Sequence, residues 1–592
     1  MKNKAFNSFK KRYFYIVFLV VLLLGAFLRF YHFSDWLHFE LDQSRDAKVI
    51  DLAIKEGPGA LPLLGPKAAG SFLRLGPVFY YFKYLSSLVF GNTPSGIATI
   101  IMIFGILAIP AFYILVRRYF NKWTSIGLLL LFSTSLFLVM YSRFSWNPNP
   151  LPLFTILAIY SLLRAVDREE KNKGKWLLAA AFFISVATQL HFLAYVSFPV
   201  ITAAFLIIKR PKIKWAYWTG AIGIILLMNF PVILNEIKTG GDNFKEFKEV
   251  VSGKTEGKSE KSLLAKIVKN YSENSVGHFL ILSSQNSELP RVLRNPNLNI
   301  LCDQGCKKEL PYGIVAAILF SSGLLLMLKN LVFEKDLRKK DFIVLISLWF
   351  IAVFGLFTPL AFDISPRFWL LVSALPFIFL GFTLDFIGKI FPQRIAVAVA
   401  LIVILGFSAS SLYRTYLRFT ELKNAPYKTV KVSADRILKE RQRVTMEQQY
   451  MITNYIESFY QKNKYPVYLN SSSFYRRSLL FDLSQRDIPE SDFRDAVNGH
   501  TVYRNGNYFL VYPTDSNLEG HLEDYSISYD YVNKKQFGTL MVIQLAPKPE
   551  AINAEEEIFE DSGGSKSAAG VPKRYTWQEI FDSTGSEDEE EE

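Results

Sequence analysis

Apolar runs of about 16 to 21 residues recur along this chain and are separated by short basic segments. An α-helix needs about 20 consecutive apolar residues to cross a bilayer, so these runs are long enough to span a membrane. Half of the 592 residues are apolar and only 20% are charged, which excludes a disordered or collagen-like chain and disfavours a soluble single domain. The sequence therefore predicts an all-α polytopic membrane protein.

About eleven transmembrane helices are predicted, the first of which follows a basic N-terminal segment and has the character of a retained signal anchor. The apolar stretch 176–208 is interpreted as two short spans that meet at His191, because basic residues flank both of its ends and require an even number of crossings. The predicted spans are 13–28, 96–116, 124–141, 150–166, 176–190, 192–208, 215–234, 312–331, 342–361, 367–385 and 394–412.

The distribution of lysine and arginine predicts the orientation of these spans. Basic connections such as those around Arg117, Lys171 and Lys209 favour the cytoplasmic side, together with the N-terminus. An odd number of spans then leaves the C-terminus outside the cytoplasm, and residues 32–95 and 235–311 become outer loops. We expect a multi-pass protein of the cell membrane, in contact with membrane lipids.

The chain divides by composition into three regions. Residues 1–412 form the predicted transmembrane module. Residues 413–548, with a helical stretch at 434–462 and several β-rich runs, predict a small extracytoplasmic α/β domain. Residues 549–592 are predicted to be a disordered acidic tail, either native or an appended tag, because 14 acidic and 3 basic residues follow from Glu550 onwards. No basic block is long enough to suggest a nucleic-acid partner.

Cys302 and Cys306 are the only two cysteines of the chain. They lie in the second predicted outer loop, where an intraloop disulfide is favoured. The neighbouring sequence supplies neither further metal ligands nor a redox Cys-x-x-Cys spacing. We expect a disulfide that staples the loop.

Ionisable residues at the membrane edge are the first candidates for chemistry, because they are costly there. Glu40-Leu-Asp42-Gln-Ser-Arg45-Asp46 places four such groups directly after the first span. In a helix, Asp42 and Arg45 would share one face, where the carboxylate can take a proton from an acceptor hydroxyl and the guanidinium can hold a phosphate. A surface ion pair or a helix cap would produce the same pattern.

Short predicted outer turns add further polar candidates. Arg143 and Arg367 break the tendency of basic residues to stay in the cytoplasm, and an anionic ligand would supply their partner. Trp146 and Asn147 follow Arg143, and His191 lies at the turn between two spans. The alternative interpretations are that Trp146 belongs to an interfacial aromatic belt and that His191 is a satisfied core histidine.

Five short motifs occur in a characteristic order at the predicted outer face. They are Glu40-Leu-Asp42-Gln-Ser-Arg45-Asp46-Ala47, Leu63-Leu-Gly65-Pro66, Gly76-Pro77-Val-Phe-Tyr80-Tyr81, Tyr141-Ser-Arg143-Phe-Ser-Trp146-Asn147-Pro148 and Gln189-Leu-His191-Phe. In this combination the chain resembles the bacterial family 39 glycosyltransferases of the GT-C class, which include protein O-mannosyltransferases and the aminoarabinose transferase of lipid A. The resemblance covers about residues 10–410.

This resemblance implies a GT-C fold and a hexosyl- or pentosyltransferase that moves a sugar from a polyprenyl-phosphate carrier to an extracytoplasmic lipid, glycan or protein. It implies Asp42 as the catalytic base, with Asp46 as second choice, and Arg45 as a ligand of the lipid phosphate. The aminoarabinose enzyme also has a lysine about thirty residues later. This chain has no lysine at that distance, and Arg74 and Lys67 are the nearest basic residues.

The residue types agree with an inverting transfer that needs neither metal nor cofactor. A carboxylate removes the acceptor proton while fixed cations stabilise the leaving lipid phosphate. The predicted phosphate or donor ligands are Arg45, Lys67, Arg74, Arg143 and Arg367. The predicted substrate contacts are Glu40, Trp146, Asn147 and His191.

Three other functions stay open, one of which is a non-catalytic membrane scaffold with an extracytoplasmic binding domain that uses these charges only for local pairing. Glu40 and Asp42 form an acidic pair of the kind that helps to hold a divalent cation in lipid-linked oligosaccharyltransferases of the same class, although the Trp-Trp-Asp signature of those enzymes does not occur. A lipid or glycan transporter would line its path with the same charges. Loss of activity on chelation would favour the oligosaccharyltransferase, and binding of lipid phosphates without sugar transfer would favour the transporter.

Overall fold

A computed structural model describes residues 2–68, 70–252, 262–293, 299–432, 435–493, 501–557 and 573–582. The helices are α1 (Lys2–Phe30), α2 (Leu41–Glu56), α3 (Val78–Phe90), α4 (Pro94–Arg117), α5 (Lys122–Thr134), α6 (Leu136–Tyr141), α7 (Leu151–Val166), α8 (Lys173–Leu190), α9 (Phe192–Lys209), α10 (Trp215–Thr239), α11 (Asp242–Ser252), α12 (Leu263–Ser283), α13 (Gln304–Phe333), α14 (Leu337–Phe357), α15 (Leu375–Ile390), α16 (Gln393–Asn424), α17 (Met446–Asn463), α18 (Arg476–Ser484), α19 (Leu518–Glu523) and α20 (Trp577–Asp582). The strands are β1 (Arg291–Val292), β2 (Ile300–Leu301), β3 (Val467–Ser471), β4 (Glu490–Ser491), β5 (Asn507–Pro513), β6 (Tyr529–Phe537) and β7 (Leu540–Pro547).

Every predicted span coincides with helical structure, which confirms the all-α polytopic class. Among the described residues, six helices are long and apolar enough to cross a membrane. A seventh span would combine α15 with the short 3₁₀ helix Pro366–Val372 before it, and the two are bent by 56°. The chain is a multi-pass membrane protein, while the count of eleven spans stays a prediction. The six helices are α4, α9, α10, α13, α14 and α16.

The helix predicted over 124–141 is broken at Ser135, between α5 and α6. Ser135 Oγ donates to the carbonyl of Ile281 at 2.7 Å, and the backbone N–H of Leu136 donates to Ser284 Oγ at 3.1 Å. These bonds to the end of α12 satisfy polar groups at the break, so the chain can turn inside an apolar bundle. The apolar pattern gives no sign of such a long-range partner.

The basic connections between helices gather at one end of the bundle. Arg118 and Arg338 both contact Asp167, and Lys339 lies 3.0 Å from Asp385. This grouping is the one that the charge pattern predicts, and its placement in the cytoplasm stays a prediction. Helix α1 runs from this end to the opposite one, from which residues 31–95 continue, and we call that opposite end the site end.

A five-stranded mixed sheet follows the last long helix, in the order β4-β3-β5-β7-β6. β3 is parallel to β4 and β5, whereas β7 is antiparallel to β5 and β6. The predicted α/β region is thus confirmed, although its helix α17 begins at Met446 and not near residue 434. Thr445 Oγ1 accepts from the backbone N–H of Gln448 at 3.3 Å and fixes that start. The sheet region contacts α2, where Gln485 donates to Asp51 at 2.7 Å.

The predicted disulfide is confirmed, since Cys302 and Cys306 are bonded with an S–S distance of 2.04 Å. Asp303 caps the helix that contains Cys306, because its Oδ1 accepts from the Cys306 N–H at 2.9 Å. The disulfide therefore links Cys302, just before α13, to the first turn of that helix.

The predicted disordered tail is wrong for part of residues 549–592. After the sheet, the N–H of Arg504 donates to Ala554 at 3.0 Å. Residues 573–582 then return to the bundle, where the N–H of Leu63 donates to Tyr575 at 2.9 Å. Charge and composition cannot reveal a contact between segments about 500 residues apart. Residues 558–572 and 583–592 lie outside the described residues.

A buried network of charges joins the start of the first loop to the segment after α16. His38 Nδ1 lies 3.1 Å from a Glu440 oxygen and 3.6 Å from a Glu40 oxygen, and Arg418 lies 2.7 Å from the other Glu440 oxygen. Burial alone lowers the pKa of His38, but the carboxylates of Glu40 and Glu440 outweigh burial and raise that pKa to about 9. The imidazolium therefore holds two separate segments of the chain together.

We expect this network to make the stability of the fold depend on pH. The folded pKa of His38 lies above its ordinary value of 6.5, so its contribution is complete below about pH 6.5 and is lost as pH rises through about 9. The loss amounts to about 3 kcal/mol. Thermal unfolding in detergent between pH 6.5 and 9.5 should show a falling midpoint for the parent chain and a flatter profile for His38→Gln. An equal fall in both chains would contradict this assignment.

Candidate functional site

Helix α2 presents the first candidate residues at the site end. A capping box closes its start, in which the side chain of Gln43 accepts through Oε1 from the backbone N–H of Glu40 at 3.1 Å. Asp42 and Arg45 lie one turn apart and form an ion pair of 2.9 Å, which confirms the predicted shared face. The Glu40 carboxylate contacts His38 instead and belongs to the buried network, so the structure does not place it with Asp42.

Asp46 is the buried centre of the cluster, with 1% of its side chain exposed. Its carboxylate accepts from Arg45 Nε and Nη2 at 2.9 and 2.7 Å, from Lys83 Nζ at 3.0 Å and from the hydroxyl of Tyr80 at 3.3 Å. Burial alone raises the pKa of Asp46, but Lys83 and Arg45 outweigh burial and hold that pKa below its ordinary value. A carboxylate with this many donors is ionised and closed to an acceptor hydroxyl.

Sequence reasoning missed Lys83, which is fully buried in helix α3. The available signal was a single lysine in the otherwise uncharged run Val78–Phe90, since a charge in such a helix needs a partner. That partner is Asp46, 37 positions earlier in the chain.

Asp42, in contrast, is open to solvent, with 37% of its side chain exposed. Trp146 Nε1 donates to its second oxygen at 3.1 Å, and the guanidinium of Arg367 lies 4.8 Å from the Trp146 ring centre. Three predicted candidates from separate segments therefore meet here. The carboxylate is held between Arg45 and Trp146 and still presents a free edge.

Arg74 and Lys67 lie opposite each other in a short antiparallel bridge of the first loop. Arg74 is fixed by two bonds, from its N–H to Asn243 Oδ1 at 2.7 Å and from Nη1 to the carbonyl of Gly65 at 3.1 Å. Burial, together with the neighbouring guanidinium groups of Arg574 and Arg45, lowers the pKa of Arg74 to about 10. These two cations thus belong to the same cluster as α2.

Arg143 does not join this cluster. Its guanidinium is buried and donates to the carbonyls of Leu28, Arg29 and His32 at 3.2, 2.9 and 3.2 Å. These carbonyls end helix α1 or follow it, where a cation is favoured by the helix dipole. The structure assigns Arg143 to capping α1, whereas the sequence predicts a phosphate ligand.

Asn147 and His191 also hold backbone in place. Asn147 Nδ2 donates to the carbonyl of Leu190 at 2.9 Å, and His191 Nδ1 accepts from the N–H of Leu193 at 3.2 Å. His191 thereby caps helix α9, and only 9% of it is exposed. For His191 the structure favours the satisfied core histidine over a substrate contact.

The first loop approaches helix α8 closely at Gly76. Gln189 accepts from the N–H of Val78 at 3.3 Å and donates to the carbonyl of Met228 at 2.8 Å, so it ties α3, α8 and α10 together. A Cβ at position 76 would lie 2.1 Å from Gln189 Oε1 and 2.5 Å from Gln189 Cγ. Only glycine fits this crossing without breaking those bonds.

We therefore expect Gly76→Ala to lower the stability of the fold by about 1–3 kcal/mol, because Gln189 must move from a packed position. Gly223→Ala is the matched control, since a Cβ there meets no atom within 4 Å. Thermal unfolding of both variants in the same detergent checks the prediction. Equal midpoints for the two variants would show that Gln189 moves aside at no cost.

Among the described residues, no group of three or more His, Cys, Asp or Glu side chains is arranged to hold a metal ion. The acidic pair Glu40 and Asp42 diverges, since Glu40 contacts His38 and Asp42 contacts Arg45 and Trp146. Transfer without a metal stays a prediction.

Part of the chain resembles a known protein family. Residues 74–234 match a family model described as dolichyl-phosphate-mannose-protein mannosyltransferase, a range that includes Arg74 and Trp146 and begins after α2. No curated protein sequence matches the chain. The resemblance to family 39 that the motifs indicate is thereby confirmed, and it indicates a membrane glycosyltransferase.

A solved structure has a similar fold. The crystal structure of ArnT from Cupriavidus metallidurans in the apo state is similar over 91% of this chain and 98% of that one, with a TM-score of 0.50 and 13% identity. ArnT from the same organism bound to undecaprenyl phosphate gives a TM-score of 0.49 and 13% identity over 89% and 97% of the two chains. The apo structure shows that the chain has an ArnT-like fold, as predicted for the GT-C type.

Proposed function

We infer that this chain is a membrane glycosyltransferase that takes a sugar from a polyprenyl-phosphate carrier and transfers it to an acceptor hydroxyl at the site end. The matched family is named for dolichyl phosphate, which is itself a polyprenyl phosphate, and this supports the donor class. The observation that carries the proposal is the geometry of Asp42, an accessible carboxylate fixed by Arg45 and Trp146 beside a group of cations.

In the proposed reaction Asp42 is the base. The acceptor hydroxyl gives its proton to the free edge of Asp42 while its oxygen forms the new bond to the anomeric carbon of the sugar. The bond between that carbon and the phosphate oxygen breaks, and its electron pair leaves with the lipid monophosphate. Attack from the side opposite the phosphate inverts the anomeric configuration.

The cations of the cluster would stabilise the leaving phosphate. Burial alone would lower the pKa of Arg45, but the carboxylates of Asp46 and Asp42 outweigh burial and raise that pKa, so Arg45 stays charged. Arg74 and Arg367 also belong to the proposed set, and Lys67 is an exposed addition at its edge. Charges held in place before the reaction need little reorganisation as the phosphate gains charge, which favours the transition state.

Asp46 would act as a positioning residue in this scheme. It accepts from Arg45 Nε and Nη2, whereas Asp42 accepts from Nη1, and Lys83 in turn donates to Asp46 and holds it in place. Geometry therefore favours Asp42 over Asp46 as the base, because an acceptor can reach only the more exposed carboxylate.

The test is sugar transfer by purified full-length protein in lipid nanodiscs, with a panel of polyprenyl-phosphate sugars as donors. We expect turnover with at least one donor, and equal turnover in the presence of EDTA. Activity that is lost on chelation and restored by Mg²⁺ or Mn²⁺ would overturn the metal-independent mechanism in favour of an oligosaccharyltransferase. Movement of lipid phosphate across the bilayer without any sugar transfer would replace the proposal by transport.

A further inference from the structure

The segment Lys573–Asp582, which we call the C-terminal strap, lies against the candidate site. Its backbone pairs with the first loop, since the N–H of Leu63 donates to Tyr575 at 2.9 Å and the N–H of Trp577 donates to Leu61 at 3.2 Å. The Trp577 indole donates to the hydroxyl of Tyr81 at 2.9 Å. These bonds fix the strap through both its backbone and its side chains, next to Tyr80.

Arg574 is the strap residue that reaches the cluster. Its Nη1 donates to the hydroxyl of Tyr80 at 3.4 Å, and its guanidinium carbon lies 5.7 Å from the Tyr80 ring centre. The same hydroxyl donates to Asp46 at 3.3 Å. Burial and the charge of Asp46 raise the pKa of Tyr80 to about 12, so the hydroxyl keeps its proton and bridges Arg574 to the buried carboxylate.

The charges of Arg45 and Arg74 also act on Tyr80, so three guanidinium groups, with that of Arg574, share its neighbourhood. Asp46 is already shared by Arg45 and Lys83. In the described part of the chain, the side chains of Arg74 and Arg574 bond to a carbonyl and a hydroxyl, and neither forms an ion pair within 4.0 Å of a carboxylate. Cations held together with so few counter-charges repel one another and favour an anion between them.

The charge of the strap itself supports this interpretation. Residues 550–592 contain only three basic residues, and two of them, Lys573 and Arg574, lie where the strap meets the site. Lys573 is 53% exposed and lies 3.7 Å from Glu579 of the strap, whereas Arg574 turns to Tyr80. The two adjacent cations thus have different surroundings, and only Arg574 contacts the cluster.

We propose that Arg574 completes the phosphate subsite, so that a residue from the end of the chain binds the phosphate of the polyprenyl-phosphate donor together with Arg45 and Arg74. This inference rests on the proposed function and adds a binding residue to it. Guanidinium groups suit phosphate because they can donate two parallel hydrogen bonds to its oxygens. Inorganic phosphate offers the same oxygens without the lipid.

The test measures binding of a short-chain polyprenyl monophosphate to the full-length protein in detergent by isothermal titration calorimetry. We expect Arg574→Ala to raise Kd about tenfold or more, as loss of a charged hydrogen bond does, and Arg574→Lys to restore part of the affinity. Lys573→Ala is the matched control, which removes an equal charge one position away and should leave Kd unchanged. Thermal unfolding of each variant shows whether the fold is kept.

Two further ligands separate the sources of binding. The uncharged polyprenol should bind the parent and Arg574→Ala equally, and inorganic phosphate should bind more weakly than the lipid but lose affinity in the same variant. An equal Kd of lipid phosphate for the parent and Arg574→Ala, with weaker binding by Arg45→Gln, would overturn the role of Arg574 and leave the proposed function standing. A parent protein that binds no polyprenyl phosphate at all would overturn both. Tighter binding by Arg574→Ala would show that the strap obstructs the site.

Discussion

Sugar transfer by Asp42→Asn should fall about 10²–10⁴-fold in kcat, which is the usual contribution of a positioned general base. Asparagine keeps the size of the side chain, and its amide oxygen can accept from Arg45 or from Trp146 but not from both, while it cannot take the acceptor proton. Binding of the donor should change little, because the cations of the cluster stay in place. The measurement is the initial rate of transfer in nanodiscs at saturating donor, together with the Kd of the donor.

Asp35→Asn is a suitable control for that loss. Asp35 belongs to the same loop, is 52% exposed and contacts only His32 among the side-chain bonds of the described residues. The same chemical change there should leave kcat within about twofold, as surface substitutions away from special features do. Equal losses in both variants would mean that any carboxylate of this loop is needed for folding or insertion. Full activity of Asp42→Asn would remove Asp42 from the mechanism.

Replacing Asp46 by alanine should lower the free energy of unfolding by about 3–5 kcal/mol, because it leaves the ammonium of Lys83 buried without its partner. The double variant Asp46→Leu/Lys83→Met should recover much of this loss, since it removes both charges and fills the space with apolar side chains. Thermal or chemical unfolding of the two variants, followed by the same probe, measures the difference.

The same pair of variants separates the two roles considered for Asp46. If Asp46 only positions Arg45, the double variant should be folded and retain measurable transfer, with a raised KM for the donor. If Asp46 were the base, the double variant would be folded and as inactive as Asp42→Asn is expected to be. Equal stability of the single and double variants would show that loss of the contact between Asp46 and Lys83 does not account for the destabilisation.

The apolar runs and the charge pattern were sufficient for the helical class, the grouping of basic connections and the face shared by Asp42 and Arg45, because those features depend on local periodicity. The break at Ser135 depends instead on bonds to α12. Lys83 and Arg574 were missed for a related reason, since their partners lie tens to hundreds of positions away. Hydrophobic periodicity identifies the buried face of a helix or strand, but it does not identify the residues that this face contacts.

Arg143, Asn147 and His191 show a second limit of motif reasoning. A polar residue at the edge of a membrane helix can bind a ligand or satisfy the unpaired carbonyls and N–H groups of a helix end. Both uses produce the same sequence pattern. The structure distinguishes them because the bonds of Arg143 and His191 lead to backbone, whereas those of Asp42 lead to Arg45 and Trp146.

The return of residues 573–582 to the first loop has a consequence for biogenesis. The ribosome makes Leu61 and Leu63 early and Tyr575 only after the whole bundle and the sheet, so this pairing is among the last contacts to form. A nascent chain can insert its helices and fold its sheet with the strap site still empty. The phosphate subsite that we propose would then be complete only once residues 573–582 have been made and have paired with the first loop.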